Sequence, residues 1–228
     1  MYVSSPTLTD KVLRMIRQDI LDGELKPGQK LVVAELKEKY NVGASPIREA
    51  LVQLSWSKYV KLEPQKGCWV APVCKDELHD LYESLQMVSA CLLSKAIMIG
   101  DEKWELDVLT AYHKLSRVKP GESFCWREWE ERQNQFLTAL FEGAGSVNMF
   151  GFFRDLLTQI KRYQYFAMQI LGTGNPGHCN LDEQEILMKA SLDKKSQDAL
   201  GYLERYLRQS IQCIEAAIDS QCRILANE

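Results

Sequence analysis

The segment 42–54 holds the residues whose types and spacing are best suited to chemistry, and it reads V-G-A-S-P-I-R-E-A-L-V-Q-L. Serine caps the free N–H groups at a helix start and proline favours the first helical position, so Ser45 and Pro46 predict where a helix begins. Arg48 falls outside the apolar stripe of this helix, on the open side of its first turn. A guanidinium there can pair with guanine or hold a phosphate, whereas the alternative is a salt bridge to a neighbouring helix.

Two short β-like runs follow, at 59–62 and 68–73, and P-Q-K-G at 64–67 separates them. This pattern predicts a hairpin with a basic tip. A short helix that exposes a cation, followed by a basic hairpin, is the layout of a winged helix that lays one helix in the major groove. We therefore expect double-stranded DNA to be contacted by five residues: Ser45, Arg48, Gln65, Lys66 and Gly67.

The residues before this segment predict two further helices. Thr9 can cap a helix that runs to about residue 22, and Gly23 ends it. A Pro-Gly turn at 27–28 leads to a second helix at 33–40. Residues 1–73 are thus predicted to form a winged helix-turn-helix domain. They carry 11 Lys/Arg and 8 Asp/Glu, whereas the remaining residues carry 17 Lys/Arg and 23 Asp/Glu. The N-terminal part is therefore basic and the C-terminal part acidic.

The remainder, 74–228, is predicted to be an all-helical, antiparallel bundle, so the fold class is mostly α. Six segments have apolar residues at helical spacing, at about 76–99, 104–118, 124–142, 148–171, 181–192 and 195–225. The glycines of G-T-G-N-P-G at 172–177 lie between two helices and not after a strand, so they indicate a loop and no dinucleotide site. Glu128, Glu130 and Glu131 are interpreted as a solvated charge run. Six aromatic residues are expected in the core: Trp126, Trp129, Phe152, Tyr163, Tyr165 and Phe166.

The composition excludes several classes of protein. The sequence has no run of 18 or more apolar residues, so no transmembrane helix is indicated. The N-terminus lacks the pattern of a signal peptide. The seven cysteines are an odd number without a C-x-x-C pair, which favours free thiols in a reducing cytoplasm over disulfides or a zinc cluster. No nucleophile with an associated base is found, so we do not expect an enzyme.

Three motifs carry a resemblance to a known family. I-L-D-G-E-L-K-P-G-Q-K-L at 20–31, S-P-I-R-E-A-L at 45–51 and the hairpin with Gly67 resemble the N-terminal domain of the GntR family of bacterial transcription regulators. The helix order beyond residue 73, with W-E-x-x-V-L at 104–109 and F-L-T-A-L-F-E-G-A-G-S at 136–146, resembles the ligand-binding domain of the FadR subfamily. The resemblance implies a homodimeric regulator that binds an operator.

The chain departs from the family pattern at two positions that often carry arginine. Ala34 stands at the start of the second helix, and Ala44 stands just before the Ser-Pro pair. Each lost base contact is worth roughly 1–3 kcal/mol. Phosphate contacts are then left to four other cations, or these are only solvated surface: Lys11, Arg14, Lys37 and Lys39.

Many FadR-type domains hold a divalent metal in the bundle through one Asp and three His. The matching positions here are Gln133, Leu137, Gln184 and Tyr206, which are not a transition-metal set, so we expect no metal cofactor. The resemblance instead favours a metal-free pocket. Gln133, Gln184 and Tyr206 would hydrogen-bond a small ligand, and Arg162, which matches an inward arginine of relatives, would clamp its carboxylate.

The sequence as a whole predicts a DNA-binding repressor controlled by a small-molecule effector, with an organic acid favoured. Two alternatives stay open. The bundle could have lost its sensor function, since the metal positions are replaced, and the protein would then bind DNA without an effector. Alternatively, the chain is a protein-interaction module with vestigial DNA binding, an alternative that Ala34 and Ala44 motivate.

Overall fold

The computed structural model describes residues 6–118, 125–172 and 180–226, and its elements are mostly helical. One short strand lies between the first and second helices and two follow the third helix, and the six later helices follow without an intervening strand in the described residues. In chain order the elements are α1 (Leu8–Leu21), β1 (Lys30–Leu31), α2 (Val33–Tyr40), α3 (Ala44–Trp56), β2 (Val60–Glu63), β3 (Gly67–Val70), α4 (Lys75–Ile99), α5 (Glu102–Ser116), α6 (Trp126–Glu142), α7 (Val147–Leu171), α8 (Leu181–Leu192) and α9 (Ser196–Ala226). The predicted fold class is confirmed.

Helix α1 begins earlier than the sequence predicted. Its cap is Thr7 and not Thr9, because Thr7 and Asp10 form a capping box in which each side chain accepts a hydrogen bond from the other residue's backbone N–H. The hydroxyl of Thr9 instead donates to Glu49 of α3 at 2.9 Å. The first helix is therefore tied to the third through this side-chain hydrogen bond.

Helix α3 also begins before the predicted serine. Gly43 is its N-cap, with extended backbone, and the helix starts at Ala44. Pro46 is then the third helical residue, which the first turn tolerates because its backbone N–H groups have no partner within the helix. The hydroxyl of Ser45 makes no cap and donates to Glu49 one turn later, at 3.0 Å.

The three strands form one antiparallel sheet in the order β1-β3-β2. The predicted hairpin is present, with Glu63 paired to Gly67. Its first strand is shifted by one residue, to Val60–Glu63, and its second begins one residue earlier and ends three residues sooner than predicted, at Gly67–Val70. The sequence did not indicate β1, whose two residues pair with Cys68 and Trp69 of β3. A two-residue strand has no detectable alternation, and only its pairing with β3 defines it.

The last six helices pack around a hydrophobic core that is distinct from the core of the first three helices and the sheet. Helix α4 lies against α7 and α9, while α5 lies against α6 and α8. Trp104 fixes one end of this bundle, since its indole N–H donates to the carbonyls of Ala139 and Leu140 at 3.1 and 3.2 Å. No helix among the described residues is long and apolar enough to cross a membrane.

The buried apolar residues form two clusters, one among α1–β3 and one among α4–α9. The boundary predicted after Val73 lies in the segment between β3 and α4. One residue crosses it, because Tyr165 of α7 is buried in the cluster of the first unit. Two polar contacts accompany it: Arg127 pairs with Asp22, and the amide of Gln169 donates to the carbonyl of Leu21. The two units are therefore packed directly against each other.

Candidate functional site

The exposed face of α3 presents an arginine that is available for a ligand. Arg48 is exposed and forms no ion pair or side-chain hydrogen bond within the described part of the chain. The nearest candidate in sequence, Glu49, already accepts from Ser45 and Thr9. A solvated guanidinium near the start of an exposed helix can make two parallel hydrogen bonds to guanine or to a phosphate.

The hairpin tip is a three-residue turn that leaves its polar groups in solvent. Gln65 adopts the left-handed conformation, with φ +64°, and Gly67 has φ +130°, which favours glycine there. Lys66 is 75% exposed and only loosely paired with Glu63, at 3.8 Å, while Lys61 pairs with the same carboxylate at 3.0 Å. The tip therefore offers one weakly held cation and exposed backbone to an anionic partner.

The other cations of the first unit divide into two kinds. Lys11 and Lys37 are exposed and form no ion pair in the described chain, so both are available for phosphate contacts. Lys39 is already paired with Asp19 at 2.6 Å. Ala34 is exposed and Ala44 is half-exposed, so an arginine would fit at either position without displacing core residues.

The bundle encloses a small cavity of about 20 Å³. That volume holds about one water molecule, so an organic acid needs the cavity to open. The polar part of its lining includes Tyr82 and Ser210, whose oxygens lie 2.6 Å apart. Tyr206, one of the proposed ligand residues, lines the cavity, and so do five polar residues that the sequence did not single out: Tyr82, Ser89, Asn134, Gln164 and Ser210.

The other predicted ligand residues do not line this cavity. Gln133 and Gln184 are buried, and each has one amide atom without a partner in the described structure: Nε2 of Gln133 and Oε1 of Gln184. A buried amide atom without a partner is costly, so both atoms are available to a ligand or water that reaches them. The structure thus places Tyr206 at the cavity and the two glutamines in buried positions outside its lining.

Arg162 lies at the junction of the two units. Its guanidinium donates to the carbonyls of Ala71 and Pro72 at 3.1 and 2.5 Å and pairs with Glu77 at 3.1 Å. It also lies over the ring of Tyr163, at 4.6 Å from the ring centre. In this geometry the side chain holds the segment between β3 and α4, and to clamp a carboxylate in the cavity it would have to leave these partners.

Among the described residues of the bundle, the donors that a divalent metal would need are not gathered at one place. Leu137 and Tyr206 both line the small cavity, and neither a leucine nor a tyrosine hydroxyl is a preferred transition-metal ligand here. The described residues contain no group of three or more His, Cys, Asp or Glu side chains that could hold a metal. The residues present therefore do not fit the metal site of the resembled subfamily.

Two interpretations of the helical unit were wrong. Glu130 is not solvated: it is 4% exposed, pairs with Lys161 at 2.9 Å and accepts from Asn134 at 2.6 Å. Phe152 is not in the core, since it is 62% exposed, whereas Trp126 and Trp129 are buried as expected. The sequence of three nearby glutamates on a helix does not indicate which of their side chains faces inward. The glycine-rich loop predicted at 172–177 lies almost wholly outside the described residues.

Comparison with known proteins agrees with this arrangement. Residues 8–70 match the family described as bacterial regulatory proteins, gntR family. The chain is 34% identical over 158 residues to the HTH-type transcriptional repressor GlaR of Escherichia coli (strain K12), across 68% of this chain and 72% of that protein. It is 30% identical over 215 residues to the HTH-type transcriptional repressor RspR of the same strain, across 92% and 89%.

The structure resembles solved structures of similar design. That of E. coli McbR/YncC superposes with a TM-score of 0.71 at 17% identity and covers 92% of this chain and 98% of that one. A regulator from Rhodococcus sp. RHA1, described as a putative GntR transcriptional regulator, gives the same TM-score at 19% identity. These likenesses support the fold, and the sequence relatives, together with a winged helix whose basic face is exposed, show that the chain belongs to the gntR family of DNA-binding transcription regulators.

Proposed function

We propose that this regulator is a homodimeric repressor that acts in the cytoplasm, reads an operator through α3 and the wing, and responds to a small organic acid in its helical bundle. The observation that carries the proposal is the free, exposed guanidinium of Arg48 on α3. Two relatives that are named repressors favour repression over activation.

The five predicted DNA contacts have distinct parts in this proposal. Arg48 reads a base or holds a phosphate from the start of α3, and Ser45, exposed beside it, contacts a phosphate. Gln65, Lys66 and Gly67 reach an adjacent groove from the wing. In a dimer, two such modules would read half-sites about 34–36 Å apart, which is one turn of DNA.

Selection of genomic fragments with the purified protein tests the DNA part. We expect specific enrichment that Arg48→Ala reduces, with affinity for the selected site roughly 5- to 150-fold weaker. The matched control is Arg132→Ala on α6, because it removes the same charge from the helical unit. Equal affinity of the parent protein and Arg48→Ala for the selected site would show that α3 does not read DNA through this residue.

The effector part rests on the polar groups in the bundle. Tyr206 lines the cavity, and the unpaired atoms of Gln133 and Gln184 could bond a ligand if the core opens. Arg162 would take part only after leaving the segment at 71–72. The proposal includes no metal, because the four family positions hold Gln133, Leu137, Gln184 and Tyr206.

The closed cavity also supports a second candidate, a repressor that binds DNA without an effector. A space for about one water is what a degenerate sensor would leave. Calorimetric titration against a panel of small organic acids separates the two. A saturable binder whose affinity falls in Tyr206→Phe supports the effector, and a panel without any binder supports the effector-independent protein.

A further inference from the structure

A cleft of about 560 Å³ separates α1 of the winged-helix unit from α6 and α7 of the bundle. This volume lies within the range of small-molecule sites, roughly 300–1,000 Å³. The residues of its lining that could carry chemistry are Arg14, Arg17, Tyr59, Glu130, Arg154 and Lys161. Apart from Arg14, which is also a candidate for a phosphate contact with DNA, none of these residues belongs to the proposed DNA contacts or to the proposed bundle ligand site.

The cleft has an excess of positive charge. Its single carboxylate among the described lining residues, Glu130, is already paired with Lys161 at 2.9 Å. Arg14, Arg17 and Arg154 form no ion pair within the described part of the chain. Arg14 donates to the backbone carbonyl of Asp10 at 3.3 Å and lies within electrostatic reach of the Asp10 carboxylate. Three guanidinium groups therefore line one concave surface without an ion pair among the described residues.

Arg17 supplies the clearest sign that an acceptor is missing. Its Nε is buried and has no hydrogen-bond partner, although the guanidinium lies over the ring of Tyr59, at 5.4 Å from the ring centre. Burial also raises the pKa of Tyr59 to about 12, so its hydroxyl remains a neutral donor. A buried cationic donor beside a neutral donor is satisfied by an anion that enters the cleft.

The cleft shares a wall with the bundle cavity. Asn134 and Leu157 line both spaces. The amide of Asn134 donates to Glu130 at 2.6 Å, and Glu130 in turn pairs with Lys161 in the cleft. A hydrogen-bonded chain therefore connects the cleft to the core of the bundle, and an anion that competes for Lys161 acts on that chain.

We propose that this cleft binds a small polyanion, carrying phosphate or at least two carboxylate groups, which bridges Arg17 of α1 and Arg154 of α7. Arginine is suited to both groups because its planar fork bonds two oxygens at once. Such a ligand contacts the winged helix and the bundle at the same time, and it therefore stabilises the arrangement of the two units seen here. The site does not depend on whether the bundle cavity itself binds an organic acid.

Titration calorimetry with inorganic phosphate and with citrate, at constant ionic strength, tests the site. The variants are Arg154→Gln and Arg17→Gln, and the matched control is Arg132→Gln, whose charge on α6 lies outside the lining. Arg154 is exposed and unpaired in the described chain, so Arg154→Gln keeps the fold. We expect saturable binding of one probe per chain, roughly tenfold weaker or more in both cleft variants and unchanged in the control. Stronger phosphate binding would indicate a phosphate ester, and stronger citrate binding a polycarboxylate.

Thermal unfolding is the second measurement, because a ligand bound only to the folded state raises its stability. The bound probe should raise the midpoint of the parent and of Arg132→Gln more than that of Arg154→Gln. Three results would overturn the proposal: no saturable binding of either probe at millimolar concentrations, equal binding by all variants, or weaker binding of operator DNA by Arg154→Gln in buffer without either probe. The last result would assign the cleft to the DNA backbone.

Discussion

Replacement of Arg162 should weaken the junction between the two units and lower the free energy of unfolding. Arg162→Met keeps the length of the side chain but removes its charge and its donors. The loss leaves the carbonyls of Ala71 and Pro72 without their donor and Glu77 without its cation. The segment between β3 and α4 then lacks the contact that fixes its course.

The size of the effect follows from these contacts. A hydrogen bond from a charged donor contributes about 1.5–3 kcal/mol, and Arg162 is 3% exposed, so solvent replaces little of what is lost. Two terms reduce the sum: Glu77 is 37% exposed and can hydrate, and removal of Arg162 also removes its unpaired Nε. We therefore expect a loss of about 2–4 kcal/mol in the free energy of unfolding.

Thermal unfolding and hydrogen exchange measure this loss. A chain of this size should unfold about 4–16 °C lower, and the backbone amides at 73–77 should exchange faster. The matched control is Arg208→Met, because Arg208 is 66% exposed, pairs with Glu204 one turn away and should contribute no more than about 0.5 kcal/mol. If Arg162→Met and the control unfold at the same temperature, Arg162 does not fasten the segment.

Three further predictions concern single positions. Gly23→Ala should destabilise the protein more than Gly28→Ala. Both glycines have φ +77°, but only at Gly23 would an added Cβ meet another side chain, an oxygen of Gln169 at 2.6 Å. Comparing the thermal unfolding of the two variants therefore isolates the effect of that contact. Gln133→Leu should stabilise the protein by about 1 kcal/mol in urea unfolding, because it removes an unpaired buried donor, and a clear loss of stability would show that the donor has a partner. Burial raises the pKa of Cys68 to about 11, so Cys68 should react with iodoacetamide more slowly than exposed Cys74 at pH 8.5, as followed by mass spectrometry. Because this folded pKa exceeds the ordinary 9.0, the neutral thiol stabilises the fold below pH 9, and that contribution is lost as the pH rises toward 11.

The sequence predicted the elements of the winged helix because each leaves a local mark. Turn residues, helical apolar spacing and a basic tip identified α2, α3 and the hairpin. The helix starts were less accurate at Thr9 and Ser45, since several polar residues near a helix start can act as caps and the backbone decides among them. Strand β1 was not predicted, because its two residues are defined only by their pairing with β3, and a pairing between distant segments is not visible in the local sequence.

The candidate ligand site was harder to predict than the fold. Family resemblance identified positions on four helices, but it did not indicate which way a long side chain turns. Arg162 turns toward the segment between the units, where two carbonyls and Glu77 lie within its reach. Glu130 turns inward because Lys161 and Asn134 supply partners there, and those partners lie on α7 and one turn further along α6. Such pairings depend on packing across helices, which the sequence pattern of one helix does not contain.

Helix α7 connects the cavity of the bundle to the winged helix through two neighbouring faces. One face lines the cavity with Phe153, Leu157, Ile160 and Gln164. The neighbouring face carries three residues at helical intervals of four. Lys161 lines the cleft, while Tyr165 in the winged-helix core and Gln169 at the end of α1 hold the first unit. The proposed effector is larger than one water, so its entry would have to displace some of the residues that line the cavity. If the residues on α7 are among them, we expect the shift to reach Tyr165 on the same helix, and the position of α3 on DNA would then respond to what fills the bundle.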